Sequence, residues 1–168
     1  MLKLVKMEEK YARHLIEMMD EWTNSGEKII PWAIRKWDYH DLAHYMDSLE
    51  VKEGDENHVP DSTFFCLDTE RDIFVGAVNI RHDLNEALRF GSGHIGDGIR
   101  PSQRGKGYGT KMIALALEEC DKLGIREVLM CCDQDNIASA RTIIKNGGIL
   151  ENEIVDDGVI VQRYWISR

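Results

Sequence analysis

Apolar and polar positions change period several times along the chain, and each change marks an element. Residues 2–7 alternate loosely and predict a short opening strand. Over residues 8–23, Tyr11, Ala12, Leu15, Ile16, Met18, Met19 and Trp22 recur near helical spacing, and Gly26 and Pro31 end that helix. A second helix is expected from Asp38 past Leu42, Tyr45, Met46 and Leu49, followed by a polar loop over 52–61. From Ser62 the period shortens. STFFCLDTE and IFVGAVNIRH are rich in β-branched and aromatic residues and read as a hairpin turning at Glu70-Arg71-Asp72. A connector over 83–92, with room for one helical turn, leads to the glycine-rich strand 93–100, stopped by Pro101. A long amphipathic helix then ends near Leu123-Gly124, where glycine suits a helix C-cap. Glu127–Cys132 reads as a buried strand, Asn136 to about Lys145 as a helix, and the end as two strands joined at Asp156-Asp157-Gly158. The order β-α-α-β-β-β-α-β-α-β-β shows no repeat or linker and predicts one α/β domain over residues 1–168.

Composition narrows the function classes. The chain has 168 residues with 43% hydrophobic and 30% charged, enough to bury a core without metal or disulfide support. Its formal charge of −9 disfavours nucleic acid as a partner, because such binding rests on neutralising phosphates. An acidic surface can also steer cationic amines. No apolar run approaches the roughly 20 residues that cross a bilayer, and MLKLVKMEEKYARHL breaks into charge too early for a signal peptide. A cytoplasmic protein without membrane partners is therefore expected. The four cysteines form no C-x-x-C pair and are expected to be reduced; the six histidines lack zinc-ligand spacing, so no metal is expected.

The chemistry concentrates in residues 95–110, IGDGIRPSQRGKGYGT. A strand ends, the chain turns through Gly105, Gly107 and Gly109, and a helix begins. Glycines let the backbone approach a ligand closely, and free N–H groups at a helix start bind anions with help from the dipole. Arg104 and Lys106 add positive charge within an acidic chain, which makes the segment a pyrophosphate cradle. Two rival cradles fail on spacing. A Walker A loop requires lysine after its last glycine, and Thr110 follows Gly109 here. A dinucleotide fingerprint requires glycine where Thr110 stands, and expects the loop after the first strand of a βαβ unit.

Arg104-Gly105-Lys106-Gly107-Tyr108-Gly109 matches [QR]-x-x-G-x-[GA] at every position. Asn136-Ile137-Ala138-Ser139 then opens a helix that ends at Lys145-Asn146-Gly147-Gly148. On these two elements the sequence resembles the GNAT superfamily of acyl-CoA N-acyltransferases, and the element order resembles that fold along nearly the whole chain. Arg81-His82-Asp83-Leu84-Asn85 and Gly93-His94-Ile95-Gly96 are similar to one branch of predicted acetyltransferases within it. The resemblance implies an α/β (α+β) fold with a mixed, mostly antiparallel central sheet, helices on both faces and a splayed cofactor-binding strand pair.

It also implies a cytoplasmic N-acetyltransferase that moves an acetyl group from acetyl-CoA to an amine by direct attack on the thioester. Carried over by position, Ile99 and its neighbours would offer backbone groups to pantetheine. The amides of Arg104, Gly105, Lys106, Gly107, Tyr108, Gly109 and Thr110 would hold the pyrophosphate. Asn136 and Ser139 would reach the pantetheine arm, although Asn136 is equally suited to a plain helix N-cap. The acceptor would be a small-molecule or peptide amine, and homodimers are common among relatives.

The sequence departs from the family where protons move. Many relatives carry a tyrosine at the position of Ile143, and some a glutamate at that of Cys131. Three residues stand in as catalytic candidates. His94 is favoured as a base near neutral pH, with a hydrogen-bonded core histidine as its other reading. Asp97 lies on the same strand, and alternation sets the two on opposite faces. Tyr164 on the last strand is a further proton donor or a core aromatic. Arg81, His82 and Asn85 precede the strand and are expected at the acceptor site, while Trp32 and Trp37 flank the loop between the first helices and either shape that pocket or pack. With both family positions replaced, the alternative is a catalytically degenerate acyl-CoA-binding sensor or regulatory module.

Overall fold

A computed structural model describes residues Met1–Arg168. The elements follow the expected order: β1 (Leu2–Val5), α1 (Ala12–Asn24), α2 (Leu42–Ser48), β2 (Asp61–Asp68), β3 (Ile73–Arg81), β4 (Ile95–Ile99), α3 (Tyr108–Lys122), β5 (Glu127–Asp133), α4 (Ile137–Lys145), β6 (Ile149–Asp156) and β7 (Val159–Ser167). The strands form two sheets, ordered β1-β2-β3-β4 and β5-β7-β6, and every pair within them is antiparallel. The sheets meet at a single bridge between Gly93 and Met130, where the His94 N–H donates to the Leu129 carbonyl at 2.8 Å. A Cβ at Gly93 would overlap that carbonyl, so only glycine allows the approach. Past the bridge β4 and β5 share no ladder, and the sheet opens.

Helices cover both faces. On one, α3 and α4 pack Met112, Ile113 and Ile143 onto Val78, Val128 and Met130. On the other, Leu15, Met18 and Trp22 of α1 and Tyr45 of α2 meet Phe65 and Phe74. Each such fully buried side chain is worth about 1.5–3 kcal/mol of transfer free energy, so these two layers fix the sheet from which the site projects. β4 divides between the faces. Ile95 and Ile99 pack toward the α3 layer, whereas Gly96 and Gly98 lie under the Ile30-Pro31 loop.

Two boundaries depart from the periodicity. α2 begins at Leu42 instead of Asp38, because the Asp38 carboxylate accepts the His40 N–H at 2.9 Å and bonds its ring at 2.7 Å. Such local side-chain bonds compete with helix formation. The turn in the connector is a π-type turn over Leu88–Ser92, closed by the Gly93 N–H on the Leu88 carbonyl at 2.6 Å.

Gly98→Ala tests the packing of the loop on β4, since its Cβ would overlap the Ile30 carbonyl oxygen. The expected loss is about 1–3 kcal/mol in urea unfolding. Stability within about 0.5 kcal/mol of the parent, the range of ordinary surface changes, would show that the loop does not bear on the strand.

Candidate active site

The turn between β4 and α3 is built for an anion. Gly105 and Gly107 hold φ of 73° and 82°, and a Cβ on either would meet only open space. Their absence of side chains therefore serves the backbone conformation and leaves the approach clear. Lys111 is the first residue of the turn to bond back, its N–H reaching the Gly107 carbonyl at 3.3 Å. None of the amides from Gly105 to Thr110 donates to an acceptor within the chain. The helix dipole adds positive potential at the same place.

A polar strut fixes this turn from the β2–β3 hairpin. Arg71 donates from Nη2 to Gln103 Oε1 at 2.8 Å and to the Tyr108 hydroxyl at 2.6 Å. Its Nε donates to Asp68 at 2.9 Å, and the Tyr108 hydroxyl donates to the same carboxylate at 3.0 Å. The bonds from Arg71 hold the Asp68 carboxyl down at about 2. Tyr108 thus points away from the turn and anchors it. Arg104 donates to the Ile99 carbonyl at 3.0 Å and pairs with Glu27 at 2.6 Å, so its charge is shared. Lys106 is exposed and bonds only Gln103, at 3.3 Å.

Backbone parity sets what faces the gap between β4 and β5. The Arg81 N–H donates to the His94 carbonyl at 2.7 Å and the Arg100 N–H to the Val75 carbonyl at 2.9 Å. In an antiparallel ladder the residues between, Ile95, Asp97 and Ile99, turn their N–H and C=O groups away from β3 and toward the gap. On the far side of the gap, β5 runs into α4. Asn136 caps this helix, its Oδ1 accepting the Ser139 N–H at 3.1 Å. Ser139 is half-buried, and its hydroxyl bears on the Cys132 thiol. Further along, a Cβ on Gly109 would lie 3.5 Å from Thr142 Oγ1, and Asn146 Nδ2 donates to the Thr110 carbonyl at 3.1 Å. Thr142, the Asp68–Arg71 strut and the place of Cys132 beside the site are not legible in the sequence, and Asn146 is legible there only as part of the turn that closes α4. The run Asn136, Ser139, Thr142 at i+3 spacing beside buried Ala140 and Ile143 is the one hint of Thr142.

The catalytic candidates part company. His94 is buried just ahead of β4, and its Nδ1 accepts the Leu129 N–H at 2.9 Å. Burial pushes it down to about 4, so the neutral ring carries its proton on Nε2 and has no free lone pair. This geometry argues against the favoured role of His94 as base. Tyr164 is buried, donates its hydroxyl to Gln162 at 2.8 Å, and is pushed up by desolvation. Asp97 is half-buried, with no hydrogen-bond partner among its neighbours, and desolvation pushes it up to about 6 against the pull of Arg81. Cys131 is pushed up to about 11 by burial and stays a thiol. Of the expected acceptor residues, Arg81 lies beside Gly96 and donates to the carbonyls of Ser92 and Gly93. His82 pairs through Nε2 with Ser62 at 2.7 Å. Asn85 instead lines a separate cavity of about 450 Å³ with Asn57, Glu86 and Phe90.

The family profile described as "Acetyltransferase (GNAT) domain" matches residues 2–149. The chain belongs to the GNAT acetyltransferase family. As a GNAT protein it is an acyl-CoA-dependent acyltransferase that uses acetyl-CoA. No curated protein sequence matches it. Among solved structures it is similar to a spermidine N-acetyltransferase SpeG chimera from Vibrio cholerae and hSSAT, at 18% identity and TM-score 0.65, covering 99% of this chain and 95% of that one. It is similar to the microcin self-immunity acetyltransferase MccE in complex with acetyl-CoA and AMP, at 19% identity and TM-score 0.68, over 99% and 92%. The ribosomal alpha-N-protein acetyltransferase RimL in complex with coenzyme A is similar at 14% identity and TM-score 0.70, over 99% and 93%. At such identities the likeness establishes the GNAT fold. No helix is long and apolar enough to cross a membrane.

The residues present fit the GNAT acyl donor, since unbonded amides and an open approach suit a pyrophosphate and the parted strands suit an extended arm. Gly107→Asp should weaken acetyl-CoA binding at least tenfold in calorimetry, and unchanged affinity in a folded variant would remove the cradle assignment. Asp68→Asn should loosen the same binding several-fold and lower Tm at pH 7. A carboxyl held below its ordinary 3.8 lends stability above that value and loses it toward about 2. The Tm gap between variant and parent should accordingly close as pH falls through that window. A gap independent of pH would mean that the strut does not act through charge.

Proposed function

We propose that the chain is an N-acetyltransferase that moves an acetyl group from acetyl-CoA to a small-molecule or peptide amine by direct attack on the thioester. The observation that carries this reading is the row of unbonded amides from Gly105 to Thr110, opening into the gap where β4 and β5 part. Acetyl-CoA when bound supplies a thioester whose leaving thiol, with a pKa near 8.5, needs little help to depart.

The chain's own groups do the rest. Amides of the turn hold the pyrophosphate, with Lys106 adding charge. The gap-facing backbone of Asp97 and the Ile99 N–H pair with the pantetheine arm, the Ile99 carbonyl being held by Arg104, and Asn136 and Ser139 wall it from the α4 side. A gap-facing N–H of β4 is placed to stabilise the oxyanion. Asp97 is the group we assign to take the amine's proton, being ionised above about pH 6 and free of other partners. An ammonium near pKa 10 is a weak acid toward such a carboxylate; desolvation in the gap lowers its pKa and narrows the difference. Ile143 is fully buried and Cys131 remains a thiol, so neither takes over the proton chemistry of the residues they replace. We place the reaction in the cytoplasm, where thiols stay reduced, and take a homodimer as the assembly.

Titration with acetyl-CoA followed by thiol release against an amine panel tests the function. Binding with release is expected; binding without release for any amine would favour a sensor module. Asp97→Asn separates chemistry from folding. A carboxyl raised in the folded state binds protons more tightly than in the unfolded chain, so its ionisation destabilises the fold as pH rises from about 4 through 6. At pH 7.5 the variant should therefore be more thermostable, while kcat/KM falls about a hundredfold and the limb near pH 6 disappears. Parent-like kcat/KM would remove Asp97 from the mechanism.

A further inference from the structure

The loop between α1 and α2 lies over Gly98 at the gap, and a cavity of about 490 Å³ opens beside it. Ile29 lines the cavity, while the next residue, Ile30, sets its carbonyl against β4. The Ile29-Ile30 segment therefore touches the cavity with one residue and β4 with the next.

The lining is unusual for a chain of net charge −9. Arg35 and Lys36 stand side by side in it, and neither forms a salt bridge. Arg35 donates to the Ile29 carbonyl at 3.0 Å, and the Lys36 ammonium lies 4.9 Å from the Trp32 ring. Burial holds both below their ordinary pKa values, for Lys36 against the pull of Asp61. Two acids stand near them: Asp38 accepts from the backbone and bonds the ring of His40, and Asp61, which attracts Lys36, accepts the Val51 N–H at 2.7 Å. Tyr39 donates its hydroxyl to Asp20 at 2.6 Å, and Trp37 is about half exposed. Arg35, which no carboxylate pairs, and Lys36, which only the pull of Asp61 reaches, stand beside two aromatic rings and suit a ligand that joins an anionic group to a flat apolar one. They repel a polycation.

We propose that this cavity is the acceptor site, and that it takes amines bearing a carboxylate or phosphate next to an aromatic or flat apolar group, in preference to polyamines. The proposal rests on the acetyltransferase reading, and its test keeps the two apart. N-acetyl-L-tryptophan and N-acetyl-L-tryptophanamide share a shape and differ in charge. In calorimetry with the intact protein, the carboxylate form should bind at least tenfold more tightly than the amide. Lys36→Gln should shrink that ratio several-fold and leave acetyl-CoA affinity unchanged; Arg35→Gln, which also loses the bond to Ile29, serves as a second variant. In thiol release, L-tryptophan should outpace spermidine. Equal affinities, no binding of either probe at about 10 mM, a ratio indifferent to both variants, or faster turnover of spermidine would each overturn the proposal. Acetyl-CoA binding alongside any of these leaves the acetyltransferase reading standing. Charge-selective probe binding without acetyl-CoA binding would sink that reading and keep the anion site.

Discussion

The structure depends on one contact and its failure to continue. At Gly93 and Met130 the two sheets come within backbone hydrogen-bonding distance, and beyond that bridge β4 and β5 part. A continuous ladder would pair the backbone of Asp97 and Ile99 and leave nothing for a ligand. Full separation would unseat the core shared by Val78, Ile95, Val128 and Met130. The bridge holds the sheets together at one end, and the α3 and α4 layer holds them at the other. Between those clamps the chain carries backbone amides with no partner in the fold.

The open site comes at a cost in stability. The turn leaves a run of amides unbonded, and Asp97 sits desolvated without a hydrogen bond. The desolvated carboxyl weakens the empty protein, whereas the amides of Gly105, Lys106 and Gly107 lie at the exposed surface, where water meets them. The surrounding structure compensates with rigidity. Arg71 reaches both flanks of the turn through Gln103 and Tyr108, and Asn146 ties α4 to its first helical residues. A ligand that satisfies the amides then meets a site already in shape, which limits the entropy lost on binding.

Much of this was legible in the sequence. Period changes place every strand and helix in order, and the spacing of Arg104, Gly107 and Gly109 marks the turn. What was not legible depends on contacts between distant residues. The role of His94 turned on the Leu129 amide, a partner 35 positions away. The strut turned on Asp68 and Arg71, which look like ordinary hairpin residues until Tyr108 is seen beside them. Trp37 read equally well as packing or as pocket; it lines the cavity beside the loop between α1 and α2. Asn85 sat near His82 in sequence, yet the π-type turn that follows directs it to a different cavity.

The most direct test of the central claim is an amide-resolved NMR titration of the intact protein with acetyl-CoA. The largest shifts and slowed hydrogen exchange are expected at the amides from Gly105 to Thr110 and at Asp97 and Ile99, with Gly96 and Gly98 moving least within β4. Binding that leaves those amides unperturbed, or shifts confined to another surface, would contradict it.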